Sequence, residues 1–192
     1  MSKLLFLPID TNIELDKEEI LSNFSPEQNF HVWNFEKLVE DNVRYGVNSF
    51  TKEAEKKYPS IIKFVNSLPF TDISNVKINI QTEQSAMHID FQRPENGKEL
   101  YDNVSSNEPS GYRVLIQGSR EKLYVQTNTG KHLARLPEDT NVYVLSQTEC
   151  LHQVDEDINR MILYITGFID KEKHQALLEK SLKKYNEYAI YG

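Results

Sequence analysis

The stretch Met87-His88-Ile89-Asp90-Phe91 sets the pattern from which the rest of the chain can be interpreted. Apolar Met87, Ile89 and Phe91 alternate with polar His88 and Asp90, as is typical of a β-strand. Because successive side chains of a strand point to opposite faces, the imidazole of His88 and the carboxylate of Asp90 are predicted to lie side by side. The stretch therefore predicts a strand that carries two metal-ligand types on one face.

A third ligand would complete a known kind of metal site. Two histidines and one carboxylate form the facial triad that holds non-haem Fe(II) and leaves the other coordination positions open. Of the other histidines, His31 precedes the strand-rich part of the chain, and His174 falls in a predicted terminal helix, where a solvated position is expected. His132 and His152 remain as candidates for the third ligand.

His152 is the favoured third ligand because of the arginine that follows it. Arg160 comes eight positions later, and a hairpin through Asp155–Asn159 would bring it back beside His152. A guanidinium is always charged and matches a carboxylate with paired donors. It would anchor a cosubstrate that chelates the metal at one end and carries a carboxylate at the other, a description that 2-oxoglutarate fits.

The order of His88-x-Asp90, distal His152 and then Arg160 resembles the signature of the Fe(II)- and 2-oxoglutarate-dependent dioxygenases. The resemblance covers roughly residues 76–169. It implies a double-stranded β-helix core of the jelly-roll or cupin type, with His88, Asp90 and His152 as iron ligands. It also implies hydroxylation of an unactivated C–H bond, with succinate and carbon dioxide as coproducts.

Within that superfamily, the segments Tyr112–Gln117 and Asn159–Ile165 look similar to the aspartyl/asparaginyl β-hydroxylase branch. That branch often carries an arginine in the first of these strands and another after the distal histidine. The resemblance therefore implies that Arg113 and Arg160 both bind the cosubstrate. Members of the branch can lack the carboxylate ligand, whereas this chain has Asp90, so prolyl-hydroxylase-like branches stay open.

The hydrophobic pattern predicts one mainly β domain of 192 residues with flanking helices, an α+β arrangement. Residues 1–75 are predicted to be an N-terminal helical brace after an opening strand, residues 76–169 an antiparallel meander closing into a sandwich or barrel, and residues 170–192 a C-terminal helix. The predicted helices of the brace lie near residues 16–21, 34–47 and 52–68, the last bent or started at Pro59. The predicted core strands are Val76–Gln81, His88–Phe91, Tyr112–Gln117, Lys122–Thr127, His132–Leu136, Asn141–Ser146, Leu151–Asp155 and Arg160–Ile169.

Composition narrows the class of partner. The formal net charge of −7 disfavours nucleic acid, since phosphate binding needs a basic patch. Cys150 is the single cysteine, which excludes an intramolecular disulfide and fits a reducing compartment; a buried, unreactive thiol is expected. The apolar run before Pro8 is too short for a signal sequence or a membrane span. We therefore expect a cytoplasmic protein that acts on a peptide, an amino acid or a small molecule.

Some assignments stay open at this point. The polar segment Arg93–Gly111 is predicted to be a lid or binding loop. Ser146 and Tyr112 are candidate hydroxyl donors to the cosubstrate, whereas Tyr143 and Tyr164 are expected to be core residues. His152 could instead be a core histidine, and each arginine could simply pair with a nearby acid.

Two other classes of function also remain. One is a cupin-like ligand-binding module without turnover. The other is a hydrolase that holds Zn²⁺ in the same three ligands, although Arg160 has no evident purpose there.

Overall fold

A computed structural model of the protein is predominantly β, with antiparallel sheets and helices packed against them. The structure describes residues 2–24, 30–31, 33–34, 38–40, 43–45, 49–81, 83–90, 109–146, 150–156 and 160–192. Its strands are β1 (Leu4–Pro8), β2 (Phe30–His31), β3 (Trp33–Asn34), β4 (Leu38–Glu40), β5 (Val43–Tyr45), β6 (Ser49–Phe50), β7 (Phe70–Gln81), β8 (Gly111–Gln117), β9 (Leu123–Thr127), β10 (Gly130–Ala134), β11 (Val142–Leu145), β12 (His152–Val154), β13 (Arg160–Ile169) and β14 (Ile190–Tyr191). Its α-helices are α1 (Lys17–Asn23), α2 (Lys52–Lys57), α3 (Pro59–Ser67) and α4 (Lys171–Tyr185), followed by a 3₁₀ turn at Asn186–Tyr188.

A seven-stranded antiparallel sheet is the central layer, with the strand order β14-β1-β11-β8-β13-β7-β2. Alternation within its strands sends side chains to two separate cores. In β13, Met161 and Leu163 join the core that the helices cover, whereas Ile162 joins a second core beneath a three-stranded sheet ordered β10-β9-β12. Two sheets therefore face each other across the second core, and Arg113 of β8 lies on that inner side next to Leu115.

Most of the predicted helices are confirmed, and their ends have local causes. The side chain of Asp16 caps α1 by accepting from the backbone N–H of Glu19 at 2.9 Å. The predicted helix over 52–68 is two helices, and Pro59 occupies the first turn of the second, where its missing N–H costs nothing. The terminal helix is also confirmed, as α4.

The predicted helix over residues 34–47 is wrong. The described parts of this segment are strands, with β4 and β5 paired antiparallel and Glu40 opposite Val43. Steps of three and four between apolar residues suggested a helix, but Val39 and Val43 are β-branched and favour strands. The dipeptide Asp41-Asn42 between the two strands is a strong turn former. The helical brace is therefore made of α1 to α3 without this segment.

The strands predicted between Tyr112 and Ile169 are all confirmed, but two of their connections are not hairpins. The turn at Asn128-Thr129-Gly130 joins paired β9 and β10 in a hairpin. The turn at Glu138-Asp139 instead leads from β10 into the other sheet, because β11 pairs with β1 and β8. The predicted hairpin through Asp155–Asn159 is also wrong, since β12 pairs with β9 whereas β13 pairs with β7 and β8.

His174 is buried in α4, contrary to the solvated position expected for it. It lies on the same helix face as Leu178, Ser181 and Tyr185, all of them buried. The hydroxyl of Tyr112 lies 2.8 Å from its Nδ1. Burial lowers the pKa of His174 to about 4, while a hydrogen bond with the Pro109 backbone acts in the opposite direction.

A neutral buried histidine makes stability depend on pH. Its stabilising contribution is fully present above the ordinary pKa of 6.5 and is lost as the pH falls toward 4. Lowering the pKa of His174 by this amount corresponds to a change of about 3 kcal/mol in the free energy of unfolding. We expect the difference in free energy of unfolding between the protein and a His174→Asn variant to shrink by that amount between pH 7 and pH 4, measured by urea denaturation. If the difference in free energy of unfolding stays constant with pH, His174 is not a buried histidine that is neutral in the folded protein.

Among the described residues, no helix combines the length and the apolar character needed to cross a bilayer.

Candidate metal centre

The edge of the three-stranded sheet brings His88 opposite His152. His152 begins β12, and the backbones of the two histidines exchange N–H···O hydrogen bonds of 2.9 Å in each direction. Around His88 the structure shows this single bridge and no continuous strand, so the strand predicted for His88–Phe91 is wrong over its described part. Phe91 lies outside the described residues. The bridge nevertheless sets the two imidazole rings 4.5 Å apart, centre to centre.

The three predicted metal ligands converge on one point. Oδ1 of Asp90 lies 3.3 Å from Nε2 of His88 and 3.4 Å from Nε2 of His152. One ligand atom from each residue can be chosen so that all lie within 4.8 Å of one another. Ligand atoms about 2.1 Å from a shared ion and at right angles around it lie about 3 Å apart. These three donor atoms therefore fit a divalent transition metal, with all three on the same face of the ion.

Each histidine is oriented by its second ring nitrogen. Nδ1 of His88 lies 2.7 Å from the carbonyl oxygen of Ala86, and Nδ1 of His152 lies 2.9 Å from that of Cys150. A carbonyl can only accept, so both Nδ1 atoms donate, and the neutral form of each ring then presents the lone pair of Nε2 to a metal. Such outer contacts are typical of histidines that bind metals.

His152 is suited to bind a metal at neutral pH because it is uncharged. It is 4% exposed. Burial lowers its pKa to about 4, and the positive charges of Arg113 and Arg160 act in the same direction. The hydrogen bond with the Cys150 carbonyl opposes this shift without cancelling it. His152 therefore presents a neutral imidazole, the form that metals bind.

Arg113 contacts the carboxylate of the metal site. It is 2% exposed, and its Nη2 donates to Oδ2 of Asp90 while its guanidinium lies 4.4 Å from the ring centre of Tyr164. Of the two roles considered for Arg113, the structure shows the ion pair, and the acidic partner is Asp90 itself. Binding of a cosubstrate by Arg113 stays a prediction.

Arg160 lies in the same cavity without an acidic partner among the described residues. Its Nη1 donates to Oε1 of Gln81 at 3.3 Å and its Nη2 to the hydroxyl of Tyr143 at 3.4 Å. The residue is 3% exposed, and Nε has no hydrogen-bond partner in the described part of the chain. A buried cation held by neutral oxygens favours an anion as its missing partner.

The cavity that these groups share has a volume of about 350 Å³ and lies between the two sheets. Its lining includes both histidines, both arginines and both tyrosines at the site, with polar side chains from the end of β7 and the segment after it. This volume suits a small organic acid next to the metal ligands. The residues lining it are Asn79, Ile80, Gln81, Glu83, Ser85, His88, Arg113, Leu123, Tyr143, His152, Val154, Arg160 and Tyr164.

The hydroxyl group at the site comes from a residue that the sequence had suggested for the core. Tyr143 is buried and packs on Phe6, yet its hydroxyl reaches Arg160. Tyr112 points to the helix-covered core instead, where it meets His174, and Ser146 is absent from the described cavity lining. No local signal in the sequence could have revealed this, because the position of Tyr143 follows from the register of β11 on β8, which places it directly opposite Arg113.

The remaining candidates lie away from the site or outside the described residues. His132 is exposed on β10, and its Nε2 contacts the hydroxyl of Thr129 at 2.9 Å. Cys150 is buried, as expected, and burial raises the pKa of its thiol to about 12, which disfavours the reactive thiolate. The lid predicted for Arg93–Gly111 lies almost entirely outside the described residues, as does the side chain of His31.

Comparison of the chain with family models and with curated proteins finds no match.

Proposed function

We propose that the protein is an Fe(II)- and 2-oxoglutarate-dependent oxygenase built on a double-stranded β-helix. The observation that supports this most is the pairing of two features in one cavity. His88, Asp90 and His152 direct three ligand atoms to one point, and both histidines line the cavity that also holds the guanidinium of Arg160, which has no acidic partner among the described residues. A metal with open positions beside an anion anchor suits a cosubstrate that chelates through its 2-oxo acid and ends in a carboxylate.

The packing of the two sheets supports the proposed double-stranded β-helix. A large and a small antiparallel sheet pack face to face, and the two histidine ligands meet at the edge of the small one. Both arginines come from the large sheet, Arg113 from β8 and Arg160 from β13. Ligands and anchors would thus approach the bound groups from opposite walls.

Each residue then has a defined part in the chemistry. Iron with 2-oxoglutarate would supply dioxygen activation and hydroxylation of an unactivated C–H bond, with succinate and carbon dioxide as coproducts. His88, Asp90 and His152 would hold the ion, with Nε2 of each histidine and Oδ1 of Asp90 as the available ligand atoms. Arg160 and the hydroxyl of Tyr143 would orient the distal carboxylate. The acceptor would be a peptide, an amino acid or a small molecule rather than nucleic acid, in a reducing cytoplasm.

Anaerobic titration with Fe(II) and 2-oxoglutarate tests the proposal. We expect a weak visible metal-to-ligand charge-transfer band in the parent protein and its loss in His88→Ala. His132→Ala is the matched control, because it removes an exposed histidine outside the site and should keep the band. No band in the parent with both ligands in excess would contradict the oxygenase. A band without succinate formation under oxygen, across a screen of acceptors, would favour the cupin-like binding module.

A further inference from the structure

The two oxygens of Asp90 have different neighbours. Oδ1 faces Nε2 of both histidines, at 3.3 Å and 3.4 Å, whereas Oδ2 accepts a hydrogen bond from Nη2 of Arg113. A carboxylate can bind a metal through one oxygen or through both. Which of the two modes it adopts depends on the other groups that contact its oxygens. Here the oxygen on the far side is occupied by a charged donor.

Arg113 is firmly placed to act as that donor. It lies in β8, which pairs on both sides, and the register sets Arg113 opposite Tyr143 of β11 and Tyr164 of β13. Its guanidinium also lies over the Tyr164 ring. A side chain that is buried, stacked and anchored in the middle of a sheet has little freedom to move.

Asp90, in contrast, has little support of its own. In the described segment 83–90, the backbone bonds to the small sheet are those of Ser85 and His88 with β12, and Asp90 comes after the last of them. Its ion-pair contacts within the described residues are with Arg113 and the two histidines. The orientation of this carboxylate therefore depends on Arg113.

We propose that Arg113 is a positioning residue that makes Asp90 a one-oxygen metal ligand. This inference rests on the metal site of the proposed function and adds a role that differs from cosubstrate binding. Because Arg113 holds Oδ2, the carboxylate occupies one coordination position, which leaves three for a chelating cosubstrate and a further small molecule. The guanidinium also offsets the charge of Asp90, so the ion stays more attractive to an anionic chelator.

Counting the water molecules on bound Mn(II) tests this role without turnover. The broadening of Mn(II) electron paramagnetic resonance lines in ¹⁷O-enriched water gives the number of metal-bound waters. We expect three waters in the parent protein and two in Arg113→Gln, in which Asp90 is free to bind through both oxygens. Arg113→Lys retains a charged donor and should restore three. Arg135→Gln is the control, since Arg135 is 60% exposed and lies outside the site.

The possible results distinguish a failure of the positioning role of Arg113 from a failure of the proposed metal site. Three waters in a folded Arg113→Gln would overturn the positioning role. Two waters in the parent would overturn it as well, whether or not that variant folds, because Asp90 would then bind through both oxygens despite Arg113. A parent that binds no Mn(II) would instead overturn the metal site of the proposed function.

Discussion

Asp90→Ala is expected to abolish metal binding and to destabilise the fold at the same time. The substitution removes the shared ligand that lies between the two imidazoles. It also leaves Arg113 buried without its carboxylate, and removing one partner of a buried ion pair costs about 3–5 kcal/mol. The partial exposure of Asp90, 17% at its side chain, places the expected loss at or below the lower end of that range.

A double variant separates the two effects. Asp90→Ala with Arg113→Met removes the charge that was left unpaired, so the free energy of unfolding should recover most of the loss. Metal binding should not recover, because the carboxylate is still missing. Urea denaturation and calorimetric titration with Fe(II) under argon measure the two quantities. If Asp90→Ala retained tight metal binding, His88 and His152 alone would form the site.

Much of the candidate site could be predicted from the sequence because its signal is local. His88 and Asp90 are two positions apart, and this spacing brought them together even though the predicted strand is a single bridge. His152 was selected by the arginine that follows it. The structure places His152 beside His88 and Asp90 although the predicted hairpin does not exist, since β12 and β13 join different sheets and still meet at the same cavity.

The contacts that depend on the pairing of distant strands could not be predicted. Tyr143 reaches Arg160 because β11 and β13 both flank β8, an order that no local pattern reveals. The ion pair of Arg113 with Asp90 joins the centre of one sheet to the edge of the other. His174 was misplaced for a different reason: its charged neighbours suggested solvent, whereas the helical spacing to Leu178 indicated the buried face.

Arg160→Met is expected to weaken binding of 2-oxoglutarate by about 100-fold while metal binding is retained. A charge-assisted, bidentate contact to a carboxylate contributes about 3 kcal/mol, and each 1.4 kcal/mol is a factor of ten. Methionine fills a similar volume and removes a buried cation that has no acidic partner among the described residues. Stability should therefore stay the same or rise, so the loss of affinity cannot be attributed to unfolding.

A substitution at Gln81 can weaken the contact between Arg160 and the distal carboxylate of 2-oxoglutarate without removing the arginine. Its Oε1 accepts from Nη1 of Arg160, and its Nε2 donates to the carbonyl of Glu83 at 3.1 Å. Gln81→Glu would place a carboxylate where the neutral oxygen is, neutralise Arg160 and compete with the ligand. We expect about a tenfold loss of affinity in calorimetric titration of the metal-loaded protein. Unchanged affinity in both Arg160→Met and Gln81→Glu would mean that another group anchors the distal carboxylate, because the charge of Arg160 would then have no effect on the ligand.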